Sequence, residues 1–406
     1  MEKVAIVGAG MVGLSTAWFL QEHGVQVTVL DRTGVAAGSS WGNAGWLTPG
    51  LATPLPEPAV LKYGVRAVIS PKSPVYVPVT ADRRLLQFLV KFAKNSTMAQ
   101  WRVAMKALVP INGLALESFD VLHDGGVKAP TYDAHSFIAA YHSPEERKVL
   151  LEEIEHIRAS GQELEYDVLD GNQARAIEPS LSPAIGAALR LHGQRYITPS
   201  EYVASLAEAV GERGARIVSG VQVSSIKDRG RSVSVAGEDY DAVVIASGAW
   251  LSKLARPFGV KTPVQAGRGY SFTIPIEQVP TGPVYFPAQR VACTPVGDRL
   301  RVAGMMEFRP ADAGLDTRRI EAIVDAARPL LRGAELGSRR DEWVGARPCT
   351  PDGLPLIGPT KSSNVFVAGG HGMWGITLGP ATGRLLAERM ITGTLPEPLR
   401  PFDPLR

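Results

Sequence analysis

Four consecutive apolar residues, Val4 to Val7, run into GAGMVG, give way to a helix-length stretch through Ala17 and Leu20, stop at Gly24, and resume from Val25 to Leu30 before Asp31. Two short continuous apolar runs around a helix-length segment predict strand, turn, helix, strand, the βαβ unit of a parallel sheet. A similar run, DAVVIASG at 241–248, ends in small residues, as suits a buried strand whose C-terminal end approaches a ligand. Elsewhere the period changes. YSFTI (270–274) and RLRVAGMMEF (299–308) belong to a stretch of alternating β-type runs that predicts an antiparallel sheet.

Helices are marked by their ends. Ser143 as N-cap, Pro144 at the first position, Glu146 completing a capping box and Gly161 as stop predict a helix whose apolar face is Val149, Leu150, Ile154 and Ile157. A second opens at Pro199 and buries Tyr202, Leu206 and Val210 ahead of a strand at Ala215 to Val218 and a short hairpin from Val221 to Val235. Residues 83–124 read as helical, 317–331 as a helix, 364–370 as a strand, and the last helix starts at Pro380 and ends at Gly393. TPGLATPLPEP (48–58) is too proline-rich for regular structure and reads as a crossing loop or lid. No internal repeat is visible. The expectation is an α/β chain with a discontinuous dinucleotide-binding domain (1–48, 190–262 and 344–406) and an inserted domain of antiparallel sheet and helices (49–189 and 263–343).

Composition narrows the chemistry. A net charge of +3 without a dense basic block gives nucleic acid no footing, so a small molecule is the expected partner. Two cysteines, Cys293 and Cys349, without metal-ligand spacing fit a reducing cytoplasm and no metal site. The acidic start MEK and the glycine-broken apolar stretch after it read as neither signal peptide nor membrane span. RRLLQFLVKFAK (83–94) is basic and amphipathic; a core-facing helix is expected, and peripheral membrane contact is the other use of such a pattern.

The GxGxxG at Gly8, Gly10 and Gly13 gains weight from its place after a strand and before a helix, with Asp31 ending the second strand 23 positions after Gly8. Gly8 permits the tight turn, Gly10 a close backbone approach to a pyrophosphate and Gly13 helix–strand packing, while Asp31 accepts ribose hydroxyls. This arrangement holds the adenosine diphosphate half of a dinucleotide and does not separate NAD from FAD.

Four segments in order, VAIVGAGMVGLSTAWFL, GSSWGNAG after Asp31, VVIASGAW (243–250), and GARPCTPDGLPLIG (345–358) with GGHGMWGITLGPATG (369–383), resemble the FAD-dependent amine and amino-acid oxidoreductases, the family of D-amino-acid dehydrogenase, D-amino-acid oxidase, glycine oxidase and sarcosine oxidase. The resemblance implies noncovalent FAD in a Rossmann-type domain: a cysteine that relatives with covalent flavin carry near Gly345 is missing, and Cys349 is offset. It implies that Met11 and Val12 lie in the pyrophosphate turn, that Asp31 and Arg32 border the adenosine, and that Ser39 and Ser40 reach the diphosphate. Asn43, Ala44, Gly45 and Trp46 would pass along the flavin. Val223 would hold the adenine through its backbone, and Ser247, Gly248 and Trp250 would flank the cofactor. In the terminal loop, Gly370, His371, Gly372, Met373, Trp374, Gly375, Ile376 and Thr377 would face the flavin through backbone groups and a helix N-terminus, with His371 a neighbour rather than a base.

For the substrate, Arg347 is the expected clamp, since a carboxylate entering an apolar cavity needs a cation that also orients its Cα–H bond. Tyr270, Trp46, Met373, Trp374 and His371 are the other expected substrate contacts. The implied reaction is hydride transfer from Cα of a small amino acid to the flavin, giving an imine that hydrolyses to a 2-oxo acid and an amine, with oxygen or a quinone as acceptor. Met373 stands where glycine oxidases carry a second arginine, which favours the D-amino-acid dehydrogenase type over an oxidase of glycine or N-carboxymethyl glycines. A flavin-binding subunit without turnover is the reading from another class, and Arg347 and the intact terminal loop argue against it.

Overall fold

The computed structural model describes residues 1–58, 73–78 and 82–406, so the parts of the expected inserted domain at 59–72 and 79–81 lie outside the described residues. Strand β1 (Lys3–Val7) pairs in parallel with β2 (Gln26–Asp31) on one side and with Ala242–Ile245 on the other. Arg216–Ser219 and Val365–Gly369 extend this sheet in parallel, and Leu356–Pro359 closes one edge antiparallel. Alternation along β1 accounts for its burial on both faces. Val4 and Ile6 join the core beneath α1 (Met11–Glu22) and the final helix Gly375–Thr392. Ala5 and Val7 join Val243, Ile245, Leu251 and Leu254 on the opposite side.

A second sheet carries Arg340–Cys349, Gln265–Pro275, Arg299–Phe308, Val291–Val296, Val284–Phe286, Phe137–Tyr141, Ala187–Leu191 and Tyr166–Asp170, in that order. It is mixed rather than purely antiparallel: Val284–Phe286 runs parallel to Phe137–Tyr141, and the short strand Val75–Tyr76 runs parallel to Arg299–Phe308. One face packs Tyr270, Phe272 and Ile274 with Ile320, Ile323 and Val324 of helix Thr317–Ala327. The other face docks on residues 41–46, through Ser271 Oγ to the Gly42 carbonyl (2.7 Å), Arg301 Nη1 to the Trp41 carbonyl (2.9 Å) and Trp46 Nε1 to Thr294 Oγ1 (2.9 Å).

Several local expectations are revised. Helix Pro144–Ala159 is capped by Ser143, but the Glu146 carboxylate accepts from the His142 N–H (3.2 Å), one residue short of a capping box, and Val149 is exposed while Leu150, Ile154 and Ile157 are buried. The expected hairpin is a three-stranded sheet formed by Ile226–Asp228, Val233–Val235 and Glu238–Tyr240. The last helix begins at Gly375 and takes Pro380 into its interior. Helix Arg83–Asn95 turns Leu85, Phe88 and Phe92 to the core, and among the described residues no helix is long and apolar enough to cross a membrane. Residues 48–54 form a buried crossing, pinned where Asn112 Nδ2 donates to the Ala52 carbonyl (3.0 Å) and Trp374 Nε1 to that of Thr53 (2.7 Å).

Candidate active site

Two helices aim at one cavity. A Cβ on Gly379 would lie 2.6 Å from Met11 Cγ, and one on Gly383 would lie 2.6 Å from the Ser15 carbonyl carbon, so α1 and the final helix touch along glycines. Residue 11 meets 379 and residue 15 meets 383, so the helices run parallel and their N-termini emerge at the same end of the sheet. Neither first turn is closed by its own N-cap side chain. Both partial positive ends therefore face the same space.

That space is a cavity of about 340 Å³. Gly8, Gly10, Met11 and Val12 line it at the turn after β1, Asp31 and Arg32 at the end of β2, and Ser39, Ser40 and Asn43 on the following loop. Val223, Ser247, Gly248 and Trp250 form another wall, and Arg347, His371, Gly372, Met373, Gly375 and Ile376 the far end. Gly8 has φ +119°, and a Cβ there would sit 2.4 Å from the Ala246 carbonyl oxygen, so no other residue fits the turn without moving the neighbouring strand. Gly13 lies behind it, where a Cβ would be 2.0 Å from the Gly8 carbonyl oxygen. Ser40 Oγ accepts from the Met11 N–H (3.3 Å). The Asp31 carboxylate shapes the site by accepting from the backbone N–H groups of Ala9 (2.9 Å), Thr33 (2.8 Å) and Gly34 (2.9 Å).

Arg347 projects from Arg340–Cys349 into the cavity. Its Nη1 donates to the Met305 carbonyl (2.9 Å) and lies 3.9 Å from Met306 Sδ. Gly269 on the adjacent strand makes room for it, since a Cβ there would lie 2.1 Å from Nη2. Burial holds the guanidinium below its ordinary pKa, and among the described residues no carboxylate pairs with it.

His371 is buried, with Nε2 2.9 Å from Thr382 Oγ1, and burial lowers its pKa to about 4, so it is a neutral imidazole near pH 7. Met373 joins an apolar cluster with Met306, Phe308 and Cys349. Cys349 is a buried free thiol, pushed up to about 12 by burial.

Other expected residues stand outside the lining. Tyr270 is on the opposite face of its strand from Gly269, fully buried, and donates to Glu307 Oε1 (2.6 Å); the two-residue period of the strand turns it away from Arg347. Trp46 packs edge-on against Phe137 and Tyr285 (4.9 and 5.2 Å between ring centres). Its carbonyl accepts from Thr377 Oγ1 (2.9 Å). Trp374 is tied to the Thr53 carbonyl, and none of Trp46, Thr377 and Trp374 is among the residues lining the cavity. Ala44 sits in the strip between Asn43 and Gly45, whose N–H donates to Asn43 Oδ1 (2.9 Å), and a Cβ on Gly45 would be 2.2 Å from the Ile197 carbonyl oxygen. Gly370 packs on Thr350, 2.8 Å from where its Cβ would be. Sequence reading missed Asp312 and Lys253, both of which line the cavity. Lys253 lies three residues beyond Trp250 and was within reach of the motif; Asp312 arrives from the other sheet and carries no local signal.

These residues fit FAD. The turn and the paired helix N-termini suit a pyrophosphate. Ser247 Oγ and His371 Nδ1 are buried atoms of lining residues with no partner among the described residues, as expected where a polar ligand supplies the missing bonds.

The family model for FAD dependent oxidoreductases matches residues 3–389. A D-amino acid dehydrogenase of Azorhizobium caulinodans is 31% identical, over 97% of this chain and 97% of its own. One from Cereibacter sphaeroides is also 31% identical, over 97% and 93%. Among solved structures, glycine oxidase from Geobacillus kaustophilus superposes with a TM-score of 0.73 at 22% identity, over 100% of this chain and 99% of that one, a likeness of fold.

Proposed function

The chain belongs to the FAD-dependent oxidoreductase family as an enzyme acting on amino acids, and we propose that its substrate is a small D-amino acid oxidised at the carbon bearing nitrogen. The observation that carries this reading is Arg347, a cation with no carboxylate partner among the described residues, in the cavity that also contains the glycine turn. FAD, when bound, supplies the acceptor for the hydride that leaves Cα. The protein's part is placement. With Nη1 held by the Met305 carbonyl, the remaining N–H groups of Arg347 clamp the substrate carboxylate and fix the direction of the Cα–H bond. Neutral His371 adds no second cation to compete for that carboxylate. Met373 contributes apolar surface beside the clamp, which suits a carbon side chain rather than a second acidic group. Loss of hydride and an amine proton leaves an imine, and water converts it to a 2-oxo acid and ammonia.

Anaerobic titration of the flavin-loaded protein with D-amino acids, glycine, sarcosine and longer N-carboxymethyl amines tests the reading. Bleaching by D-amino acids is expected. Bleaching by the N-carboxymethyl amines alone would assign the cavity to N-substituted glycines, and no bleaching by any of them would leave a flavin-binding subunit.

A further inference from the structure

One wall of the nucleotide cavity does not come from the dinucleotide-binding sheet. Asp312 lies in the turn between strand Arg299–Phe308 and helix Thr317–Ala327, yet it lines the same cavity as Gly8 and Asp31. Its carboxylate accepts from Arg32 Nη2 at 2.8 Å and from Trp250 Nε1 at 3.0 Å. The Arg32 guanidinium carbon lies 3.8 Å from the centre of the Trp250 ring, so the three side chains form a closed triangle of contacts.

The sheet order explains what the triangle spans. β1 lies between β2 and Ala242–Ile245, so Arg32 leaves the end of one outer strand and Trp250 follows the end of the other. With strands spaced about 4.8 Å apart, those ends are roughly 10 Å apart. The stacked pair bridges this gap, and Asp312 bonds to both of its members. The Asp312 turn is itself held in place: Arg268 Nη2 donates to the carbonyls of Ala313 (2.6 Å) and Gly314 (2.8 Å), while Nη1 donates to Glu307 (2.7 Å).

We propose that Arg32, Trp250 and Asp312 form a clasp over the adenosine end of the crevice, and that its opening sets how fast FAD enters and leaves. Opening moves two side chains and the tip of a turn without disturbing the sheet. Arg32 and Asp312 keep 38% and 64% of their side-chain surface exposed, so the ion pair is open to screening by salt. The clasp also makes the second sheet part of the nucleotide site, so a chain in which only the dinucleotide-binding sheet had folded would hold FAD loosely.

The test is FAD release from the loaded protein, followed by recovery of free-flavin fluorescence after dilution, in low salt and in about 1 M NaCl, where the screening length is about 3 Å. Asp312→Ala is expected to speed release roughly tenfold, the effect of about 1.4 kcal/mol. Salt speeds release from the wild type more than from Asp312→Ala, in which only screening of the FAD diphosphate remains. Arg32→Lys keeps the charge, loses the planar stack and falls between the two. Glu117→Ala, which removes an ion pair to Arg384 away from the cavity, alters neither rate nor salt response. Release from Asp312→Ala at the wild-type rate, or equal acceleration of both proteins by salt, would overturn the clasp. The measurement involves no substrate, so its failure is separate from failure of the substrate assignment.

Discussion

Arg268 and Arg347 occupy adjacent strands of the large sheet, one register step apart: Arg347 pairs with Gly267, and Arg268 with Ala346. Arg268 is 1% exposed and complete, bound to Glu307 and to two carbonyls. Arg347 has one carbonyl, a thioether and an open cavity. The two side chains leave opposite faces. On one, arginine is part of the packing, with Glu307, Tyr270 and Arg319 around it. On the other it lines the cavity. A buried guanidinium alone therefore says little about function, and what distinguishes the two is whether the protein supplies the anion.

Breaking the internal pair should have the largest effect. Arg268→Ala leaves the Glu307 carboxylate, 0% exposed, without its nearest cation, and is expected to cost about 3–5 kcal/mol, read as a fall in the denaturation midpoint. Next comes Gly269→Ala, whose methyl would lie 2.1 Å from Arg347 Nη2. Displacing the clamp by this amount should slow substrate reduction of the flavin by about a hundredfold while FAD content and melting temperature change little. Tyr270→Phe removes one hydrogen bond to Glu307 on the packing face and should cost about 1–2 kcal/mol without altering the reduction rate at saturating substrate. An unchanged midpoint with slowed reduction would instead put Tyr270 on the cavity side.

Near neutral pH the smallest effect is that of His371, which grows only as pH falls. His371 has its pKa lowered from 6.5 to about 4 by burial, so the unfolded chain takes up a proton at a pH where the folded one does not. Stability from this group is whole above about pH 6.5 and falls as pH drops toward about 4. His371→Asn should flatten that limb of the melting-temperature curve; an unchanged slope would mean the imidazole is already protonated in the folded protein.

Much of the fold was legible because local chemistry dictates it. The continuous apolar runs of β1 and of 242–245 follow from burial on both faces of a parallel sheet, and the glycine turn and the acid ending β2 from the turn's place at the sheet's end. Single apolar positions were less legible: Val149 adjoins the apolar face of Leu150 and Ile154, but it is exposed. At the site, Arg347 was legible through its motif, and the room left for it by Gly269 was not, because that depends on strand pairing. Tyr270 and Arg347 lie on paired strands but on opposite faces of the sheet. Trp46 and Trp374 carry indole N–H groups whose partners, Thr294 and Thr53, lie 248 and 321 positions away. Asp312 reaches the nucleotide cavity from a different sheet, and no pattern around it points there.

The most direct test of Arg347 compares anaerobic flavin reduction by a D-amino acid and by its amide, which lacks the carboxylate. Wild-type protein should prefer the acid by about 10²–10³, corresponding to roughly 3–4 kcal/mol for a charge-assisted bidentate pair. In Arg347→Ala that preference should fall to near unity while FAD stays bound. A variant that still prefers the acid as strongly as the wild type would contradict the clamp and the substrate assignment built on it.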